Sequence, residues 1–352
     1  MSGTYTYNAL ANKYKNFHTP AFKIKIGGKD VVSSMKLAIE NLSVDISMGS
    51  ASACSFSIAN AYDIEKRAFD KSIKSKLALG SVVEVELGYL SVTTLVFKGY
   101  ITNVGVEYGG PPSLSITAMD VRRLMMDGKE RNIKHDVKNY SDAFMEVMKR
   151  YEKLSPSPKV DKTDEKLESV YQRSSDYDFI KKIARLADRE FFVIAGKTYF
   201  RIPRSSTRSI MTLEWGKDLQ SFSRDLFYQV IDVQVIGYDE EKKEAVVGTA
   251  REKSDGSIKE VISQSQPTVI SDPMATDLKK AKKRAEAEAK KQKHKAQSGN
   301  GSCIGLPEIV PGRFITLKKL DPSIDGDYYI TSVRHSVGTD GFSTSFRVGG
   351  WK

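Results

Sequence analysis

The stretch DYYITSVRHSVGTDGFSTSFRV, from Asp327 to Val348, leaves two interpretations of this chain open. Apolar and polar residues alternate along it, which is typical of half-buried β-strands that pair as a hairpin. The same stretch holds His335, two aspartates and several serines, which are the residue types of a hydrolytic site. Its own residues permit either the closing hairpin of a β-barrel or a catalytic site.

Length and composition exclude several classes of protein. At 352 residues the chain is long enough for two or three domains, and 40% hydrophobic with 28% charged residues is typical of a globular protein. No run of eighteen apolar residues could cross a bilayer, and the N-terminus lacks the pattern of a secretory signal. Cys54 and Cys303 cannot build a disulfide framework or a zinc site. We therefore expect neither membrane insertion nor Sec export, and we expect synthesis in a reducing compartment.

The net charge of +11 is concentrated in one segment. Between Asp277 and Lys295 there are nine Lys and Arg residues and three acids, so the rest of the chain carries a net charge of only +5. No aromatic residue lies within this run to stack on bases. The pattern favours the solvated face of a basic helix, and we expect no nucleic-acid binding.

Residues 21–128 follow an N-terminal segment, 1–20, and show the period of two that indicates strands. Gly27 and Gly28 follow the first strand and supply the positive φ angles of a tight turn. Residues 61–76 are expected to be irregular or helical. Many short strands predict a barrel or a sandwich. The alternating apolar sets are Phe22/Ile24/Ile26, Val44/Ile46/Met48, Cys54/Phe56/Ile58, Val83/Val85/Leu87, Leu95/Phe97/Ile101 and Leu114/Ile116/Ala118.

Residues 129–205 change to the helical period and predict a small α/β insert. Apolar residues recur at helical spacing in NYSDAFMEVMKRYEKL, with Ser141 as the expected N-cap. A second helix is predicted to begin at Ser175, which forms a capping box with Asp178. The stretch FFVIAGKTYFRI then predicts two strands around Gly196.

Residues 206–352 return to strands, interrupted by an excursion and a helix at 251–298. VIDVQVIGY alternates, and a partner strand is expected to begin at Ala245. Residues 251–275 predict a long exposed excursion. The helix MATDLKKAKKRAEAEAKKQKHKAQ has only alanines on its apolar side, so it can pack shallowly against something flat, and SGNGS ends it. PGRFITLKKL and the hairpin stretch are the last predicted strands.

The residues able to carry chemistry form no recognised motif. GxSxG, GxxxxGK[ST] and GxGxxG do not occur in the sequence, and no histidine has a metal-ligand partner at short helical or strand spacing. Glu84 and Glu86 are two apart on a strand whose other face is apolar, so we interpret them as outward-facing residues and not as a catalytic pair. We expect no catalytic residue, no cofactor and no metal site.

Three stretches in this order resemble one family. YQRSSDYDFIKKIARLADREFFVIAGKTYF is similar to a segment in which a Gln precedes a Ser/Asp-capped helix and two strands. LEWGKDLQSFSRDLFYQVIDVQVIGYD resembles a strand that opens a second barrel after an L-x-S-F turn, and PGRFITLKKLDPSIDGDYYITSVRHSVGTDGFSTSFRV resembles the family's ending. This is the late control D and VgrG-like family, the central hubs of contractile phage tails and related injection machines. The resemblance covers roughly residues 20–350. Under it His335 is a strand-end histidine and Ser343 to Ser345 are strand positions.

The resemblance implies a mainly β (α+β) fold. Its parts are two tube-like β-barrel domains at residues 21–128 and 206–352, the α/β insert and the basic Ala/Lys-rich helix. It also implies a homotrimer whose six barrels meet a sixfold tail tube on one side and a threefold spike on the other. VgrG-type proteins continue into an OB-fold and a needle, whereas this sequence stops at Lys352. We therefore expect a separate spike protein.

The function implied is a non-enzymatic baseplate hub that nucleates the tube and holds the spike. Its partners are then the spike, tail tube or tube-initiator proteins and other baseplate proteins. Its place is the baseplate of a phage tail, a bacteriocin or a related injection particle made in the bacterial cytoplasm. The alternative is a tail-associated peptidoglycan hydrolase. The residues expected at a protein interface are Lys279, Lys282, Lys283, Lys290 and Trp351.

Overall fold

The computed structural model describes residues 4–108, 110, 112–128, 131–255, 258–259, 261 and 266–351, without the side chain of Trp351. The described α-helices are α1 (Tyr7–Lys13), α2 (Val31–Met35), α3 (Lys71–Lys76), α4 (Val121–Asp127), α5 (Tyr140–Met148), α6 (Asp176–Leu186) and α7 (Leu278–Lys295). Single 3-10 turns are formed by Lys15–Phe17 and Lys149–Tyr151.

The described strands make the protein mainly β. In the N-terminal region they are β1 (Pro20–Ile26), β2 (Lys29–Asp30), β3 (Ile39–Ser47), β4 (Ala53–Ile58), β5 (Tyr62–Asp63), β6 (Ala68–Phe69), β7 (Val82–Tyr89), β8 (Val92–Glu107) and β9 (Ser113–Met119). The middle region contains β10 (Ile133–His135), β11 (Lys159–Val160), β12 (Val170–Gln172), β13 (Glu190–Ile194) and β14 (Lys197–Arg201). The C-terminal region contains β15 (Ser209–Glu214), β16 (Leu219–Leu226), β17 (Val230–Asp239), β18 (Glu244–Lys253), β19 (Thr268–Ser271), β20 (Gln297–Ile304), β21 (Phe314–Lys318), β22 (Gly326–Gly338) and β23 (Gly341–Trp351).

One sheet of thirteen strands dominates the fold. Its order is β16-β20-β23-β22-β3-β4-β9-β8-β7-β1-β2, and β21 pairs with β22 and, in parallel, with β15. The opening stretch of sequence is confirmed as the hairpin β22–β23. β22 also pairs with β3 along Ser332–Val337, so it joins the N-terminal and C-terminal regions. Among the described strands, the pairings follow this path without closing it into two cylinders.

The two regions share one hydrophobic core. Ile24 and Val85 from the N-terminal strands lie in the same buried cluster as Ile330 and Phe346 from the last hairpin. The alternation of buried and exposed positions along β4, β7 and β9 follows the predicted period of two. No helix in the described part of the chain is both long and apolar enough to span a membrane.

The α/β insert has a core of its own. α4, α5 and α6 contribute apolar side chains that meet Val193 and Phe200 of β13 and β14. The Ser175–Asp178 capping box is confirmed, since the Asp178 amide donates to Ser175 Oγ at 3.1 Å. The N-cap of α5 is Asn139 and not the predicted Ser141, because Asn139 Oδ1 accepts both the Asp142 amide and the Ser141 hydroxyl. The division of the chain at residues 128 and 205 remains a prediction.

A second compact unit, the α7 lobe, consists of α7 and the three-stranded sheet β18-β17-β19. Its core is small, with Val233, Val235 and Val246 packed on helix alanines. Residues 251–275 are therefore not wholly an exposed excursion: β18 continues to Lys253, and β19 pairs in parallel with β17. The part of this excursion at 256–257, 260 and 262–265 lies outside the described residues.

Two local predictions were wrong for tertiary reasons, and one stretch that was predicted only to end a helix also forms a strand. Leu95 was predicted to share the buried face of its strand with Phe97. A register shift in the β7–β8 pairing instead makes Val96 fully buried and leaves Leu95 only half-buried. The L-x-S-F stretch begins at Leu219 and lies within β16, not in a turn. SGNGS follows the end of α7 but forms strand β20, paired on both sides by β16 and β23.

Candidate assembly surface

The α7 lobe positions the predicted interface lysines. Asp277 begins the helix by accepting the Lys280 amide at 2.8 Å, and this bond is the main cause that lowers the pKa of Asp277. Ala281, Ala285 and Ala289 are fully buried against the sheet. The flat surface predicted for these alanines is thus the protein's own sheet. The alanine face is therefore occupied within this chain and is not available to a neighbouring protein.

Glycine and alanine together set the close approach of α7 to its sheet. A Cβ placed on Gly248 of β18 would lie 2.2 Å from the Ala281 carbonyl carbon, a distance that backbone atoms cannot tolerate. Backbones that pack this closely hold the helix in one orientation. Because the alanine side of α7 faces the sheet, its lysines face outward.

The four predicted lysines share the exposed flank of α7. Lys279, Lys282, Lys283 and Lys290 are exposed, and none of them forms an ion pair with another described residue. Neighbouring cations on the helix do have partners. Arg284 lies 3.2 Å from Asp272, and Lys293 lies 3.3 Å from Glu252.

The charges of α7 oppose the helix dipole in the first turn and match it in the last. The first turn contains no acid and includes Lys279 and Lys280, although the N-cap Asp277 is acidic, and the last turn contains Lys293, His294 and Lys295. Cations near a helix N-terminus destabilise the helix by about 0.3–1 kcal/mol each. At the other end, burial together with the charges of Arg204, Lys293 and Lys290 lowers the pKa of His294 to about 4. α7 therefore presents a net positive surface, on which Lys279, Lys282, Lys283 and Lys290 have no ion-pair partner among the described residues.

Trp351 belongs to β23 by its backbone, which pairs with Tyr328. Its side chain lies outside the described residues, so its predicted interface role remains a prediction.

One set of exposed residues was missed by sequence reasoning: Leu226, Phe227 and Tyr228 are consecutive and exposed beside the end of α7. The sequence feature that could have identified them is a run of three adjacent apolar residues at the end of an alternating strand.

The histidines lie in structural surroundings. His335 is fully buried inside β22, with Nδ1 2.9 Å from Thr344 Oγ1, and burial lowers its pKa to about 4. His135 is stacked on Phe179 and bridges Glu146 and Gln172 at 2.8 and 3.0 Å. In the described chain, His, Cys, Asp and Glu side chains do not gather in a group of three able to hold a metal ion.

Several of the described carboxylates are held by cations or hydroxyl groups. Glu84 and Glu86 are paired with Lys98 and Lys25, as their outward strand positions predicted. A cavity of about 240 Å³ includes Glu214 and Asp218, but the ion pair with Lys319 lowers the pKa of Glu214. A general acid requires a raised pKa. Burial does raise the pKa of Glu190, yet Arg201 and Tyr329 both bind its carboxylate.

Comparison with known sequences assigns the family. The model of the Alg8 N-terminal domain matches residues 16–339. The chain belongs to the Alg8 N-terminal domain family. That description names a domain and states no activity or partner, so the family assignment does not test the resemblance to late control D and VgrG-like proteins. No curated protein matches the sequence.

Solved structures share the fold of this Alg8 N-terminal domain over nearly its whole length. The tail protein from Neisseria meningitidis MC58 is 14% identical with a TM-score of 0.69, covering 95% of this chain and 97% of that chain. The 43 kDa tail protein of prophage MuSo2 from Shewanella oneidensis is 14% identical with a TM-score of 0.70, covering 94% and 98%. The E. coli c3393 protein, a component of the type VI secretion system, is 11% identical with a TM-score of 0.58, covering 93% and 76%.

What these neighbours share with this chain is the backbone fold. It occurs in two tail proteins, one of them from a prophage, and in a component of the type VI secretion system. At such identities the comparison extends to the backbone and not to individual side chains. The interface role proposed for the α7 lysines therefore rests on the geometry of this chain alone.

Proposed function

We propose that the protein is a structural hub of a contractile tail or related injection particle. The observation that carries this proposal is the fold it shares with two tail proteins over at least 94% of all three chains. The buried histidines and paired carboxylates described above agree with a role in which surfaces are used and no bond chemistry is performed.

The finer proposal follows the resemblance seen in the sequence. The chain forms a homotrimer at the baseplate, presents its two strand-rich regions, residues 21–128 and 206–352, as the tube-like parts of the ring, and adapts a threefold spike to the sixfold tail tube. It nucleates the tube and holds the spike. Symmetric rings of repeated surfaces are a common way to build such an adaptor. Lys279, Lys282, Lys283, Lys290 and Trp351 are proposed to contact neighbouring baseplate proteins.

The mass of the complex in solution tests this proposal. Light scattering would be measured on the purified chain and on the chain co-expressed with a spike protein of a contractile particle. The proposal predicts a particle containing three copies of the 39.2 kDa chain in the co-expressed sample. A single copy per complex in both samples would overturn the homotrimer.

The peptidoglycan hydrolase remains the competing proposal, and zymography distinguishes it. A gel containing cell-wall material would be run with the purified chain and with a variant in which His335 is replaced by Leu. The hub proposal predicts no clearing in either lane. A cleared band that disappears in the variant would establish a catalytic role and contradict the hub as a purely structural protein.

A further inference from the structure

Three consecutive exposed apolar residues mark an unusual place on the surface. Leu226, Phe227 and Tyr228 are 40%, 58% and 51% exposed, respectively. Single exposed apolar residues are common on proteins, whereas contiguous ones indicate a contact surface. Aromatic residues are also the side chains that contribute most at protein interfaces.

The backbone that carries these rings is fixed. The Phe227 amide donates to the Ala296 carbonyl at 3.0 Å, and Ser254 Oγ donates to the Phe227 carbonyl at 2.6 Å. The Ser254 amide donates to the Gln229 carbonyl at 3.0 Å. The rings are therefore held in the solvent by an ordered segment. Binding on a surface that is already ordered costs less conformational entropy.

A cavity separates this segment from the end of α7. It has a volume of about 430 Å³ and is lined by Phe227, Gln229, Glu288, Gln292, Lys295 and Ala296. One wall is aromatic and the opposite wall is the polar side of α7. The cavity is large enough for an apolar side chain of a partner to enter beside Phe227.

The charges around the cavity indicate what kind of partner fits. Lys295 is exposed and forms no ion pair with another described residue, while Lys291 lies 3.8 Å from Glu288. The segment from Asp277 to Lys295 has an excess of six positive charges. This surface attracts acidic groups. Because Glu288 lines the cavity, an apolar group is favoured inside it, and the acidic groups of a partner belong at the exposed lysines outside it. A protein segment can supply both kinds of group, whereas a phosphate backbone cannot.

We propose that this shoulder, formed by Leu226, Phe227, Tyr228, Lys291 and Lys295, binds an acidic segment of a neighbouring protein in the particle. An apolar side chain of that segment enters the cavity against Phe227, and its carboxylates pair with Lys291 and Lys295. This inference rests on the proposed function as a hub, because it supplies a docking surface that a structural protein needs.

Peptide binding to the full-length chain tests the proposal. The probes are a labelled synthetic peptide of Glu and Leu residues, poly-L-glutamate of the same length, and oligothymidylate, all followed by fluorescence anisotropy. The Glu/Leu peptide is expected to bind at least about ten-fold more tightly than the other two, and replacing Phe227 and Tyr228 with Ser should weaken it by about ten-fold. Lys291→Glu with Lys295→Glu should abolish binding, whereas Lys71→Glu with Lys76→Glu on α3 is the matched control.

Several results would overturn the proposal. These are tighter binding of oligothymidylate, equal binding of poly-L-glutamate, or an unchanged affinity in the Phe227/Tyr228 variant that keeps the wild-type circular dichroism. Light scattering on the chain co-expressed with the spike separates this test from that of the hub. A trimer that does not bind the Glu/Leu peptide refutes the shoulder alone, and a monomer that does bind it refutes the trimer alone.

Discussion

His335 shows how one residue can be assigned a role from its surroundings. Thr344 Oγ1 accepts the Leu306 amide at 2.9 Å, so its hydroxyl proton is available to His335 Nδ1. Burial lowers the histidine pKa, and the backbone of Ile309 only partly offsets this effect. The imidazole is therefore neutral in the folded protein near pH 7 and packs beside Phe342 as part of the core.

Acid should destabilise the protein through His335. Its pKa is about 4 when folded and 6.5 in the ordinary state, so the unfolded chain binds more protons between these values. The stability contributed by the neutral ring is fully present above pH 6.5 and is lost as the pH falls towards 4, by on the order of 3 kcal/mol. Urea unfolding from pH 7 to 4 should show a shallower pH dependence in His335→Leu. Parallel curves for the variant and the wild type would contradict this assignment.

The family resemblance includes a Gln before the capped helix but gives no physical reason for it. That residue is Gln172, and its hydrogen bonds supply the reason. Its Nε2 donates to Asp176 Oδ1 at 2.6 Å and to the Ser174 carbonyl at 3.1 Å. Its Oε1 then accepts a hydrogen bond from His135 Nε2 at 3.0 Å. Asp176 also accepts from Tyr151 and Arg150, so Gln172 connects the two halves of a buried polar network.

Replacing Gln172 with Leu should destabilise the insert. The change leaves buried groups of His135 and Asp176 without a partner, at a cost of about 2–4 kcal/mol. The free energy of unfolding in urea measures this cost. Gln220→Leu on the exposed part of β16 is the control and should change stability by less than about 0.5 kcal/mol. Equal effects in the two variants would show that the network does not contribute.

At the scale of elements, period and capping predicted the regular parts well. β1, β4, β7, β9 and the hairpin β22–β23 follow directly from alternation, because one face of each is buried. β20 could not be found this way, since GNGS has low strand propensity. Its stability comes from side chains distant in sequence: the Phe346 ring lies over Gly301 and leaves no room for a Cβ.

α7 depends on the glycine that faces it. Gly248→Ala places a methyl group against the backbone at Ala281, and the helix must move away, at a cost of about 1–3 kcal/mol. Hydrogen exchange should therefore be faster at amides of α7 and β18 than in the wild type. Gly338→Ala meets no atom within 4 Å and is the matched control. Unchanged exchange in the Gly248 variant would mean that the helix does not pack as described.

At the scale of the whole molecule, the sequence indicated strands but not their partners. The pairing of β22 with β3 joins residues almost 290 positions apart, and nothing in local periodicity specifies it. The lysine flank was visible because it is contiguous in sequence. The shoulder was not visible, because Phe227 and Lys295 meet only when the segment that follows β16 reaches the end of α7 in the folded chain.

The lysine flank should matter for assembly and not for folding. Reversing the charges of Lys282, Lys283 and Lys290 is expected to lower the yield of intact particles while leaving the melting temperature of the isolated chain unchanged, since these side chains have no intramolecular ion-pair partner among the described residues. Particle yield by electron microscopy measures the effect. The same number of reversals at Lys71, Lys74 and Lys76 is the control, and normal yields in both variants would remove the lysines from the interface.

The most direct test of the hub is a cryo-electron microscopy map of the particle from the bacterium that produces the protein. The account predicts three copies of this chain at the end of the tail tube, each with the β22–β3 junction intact and with α7 facing a neighbouring protein. Purified, infective or contractile particles that lack this chain altogether would contradict it.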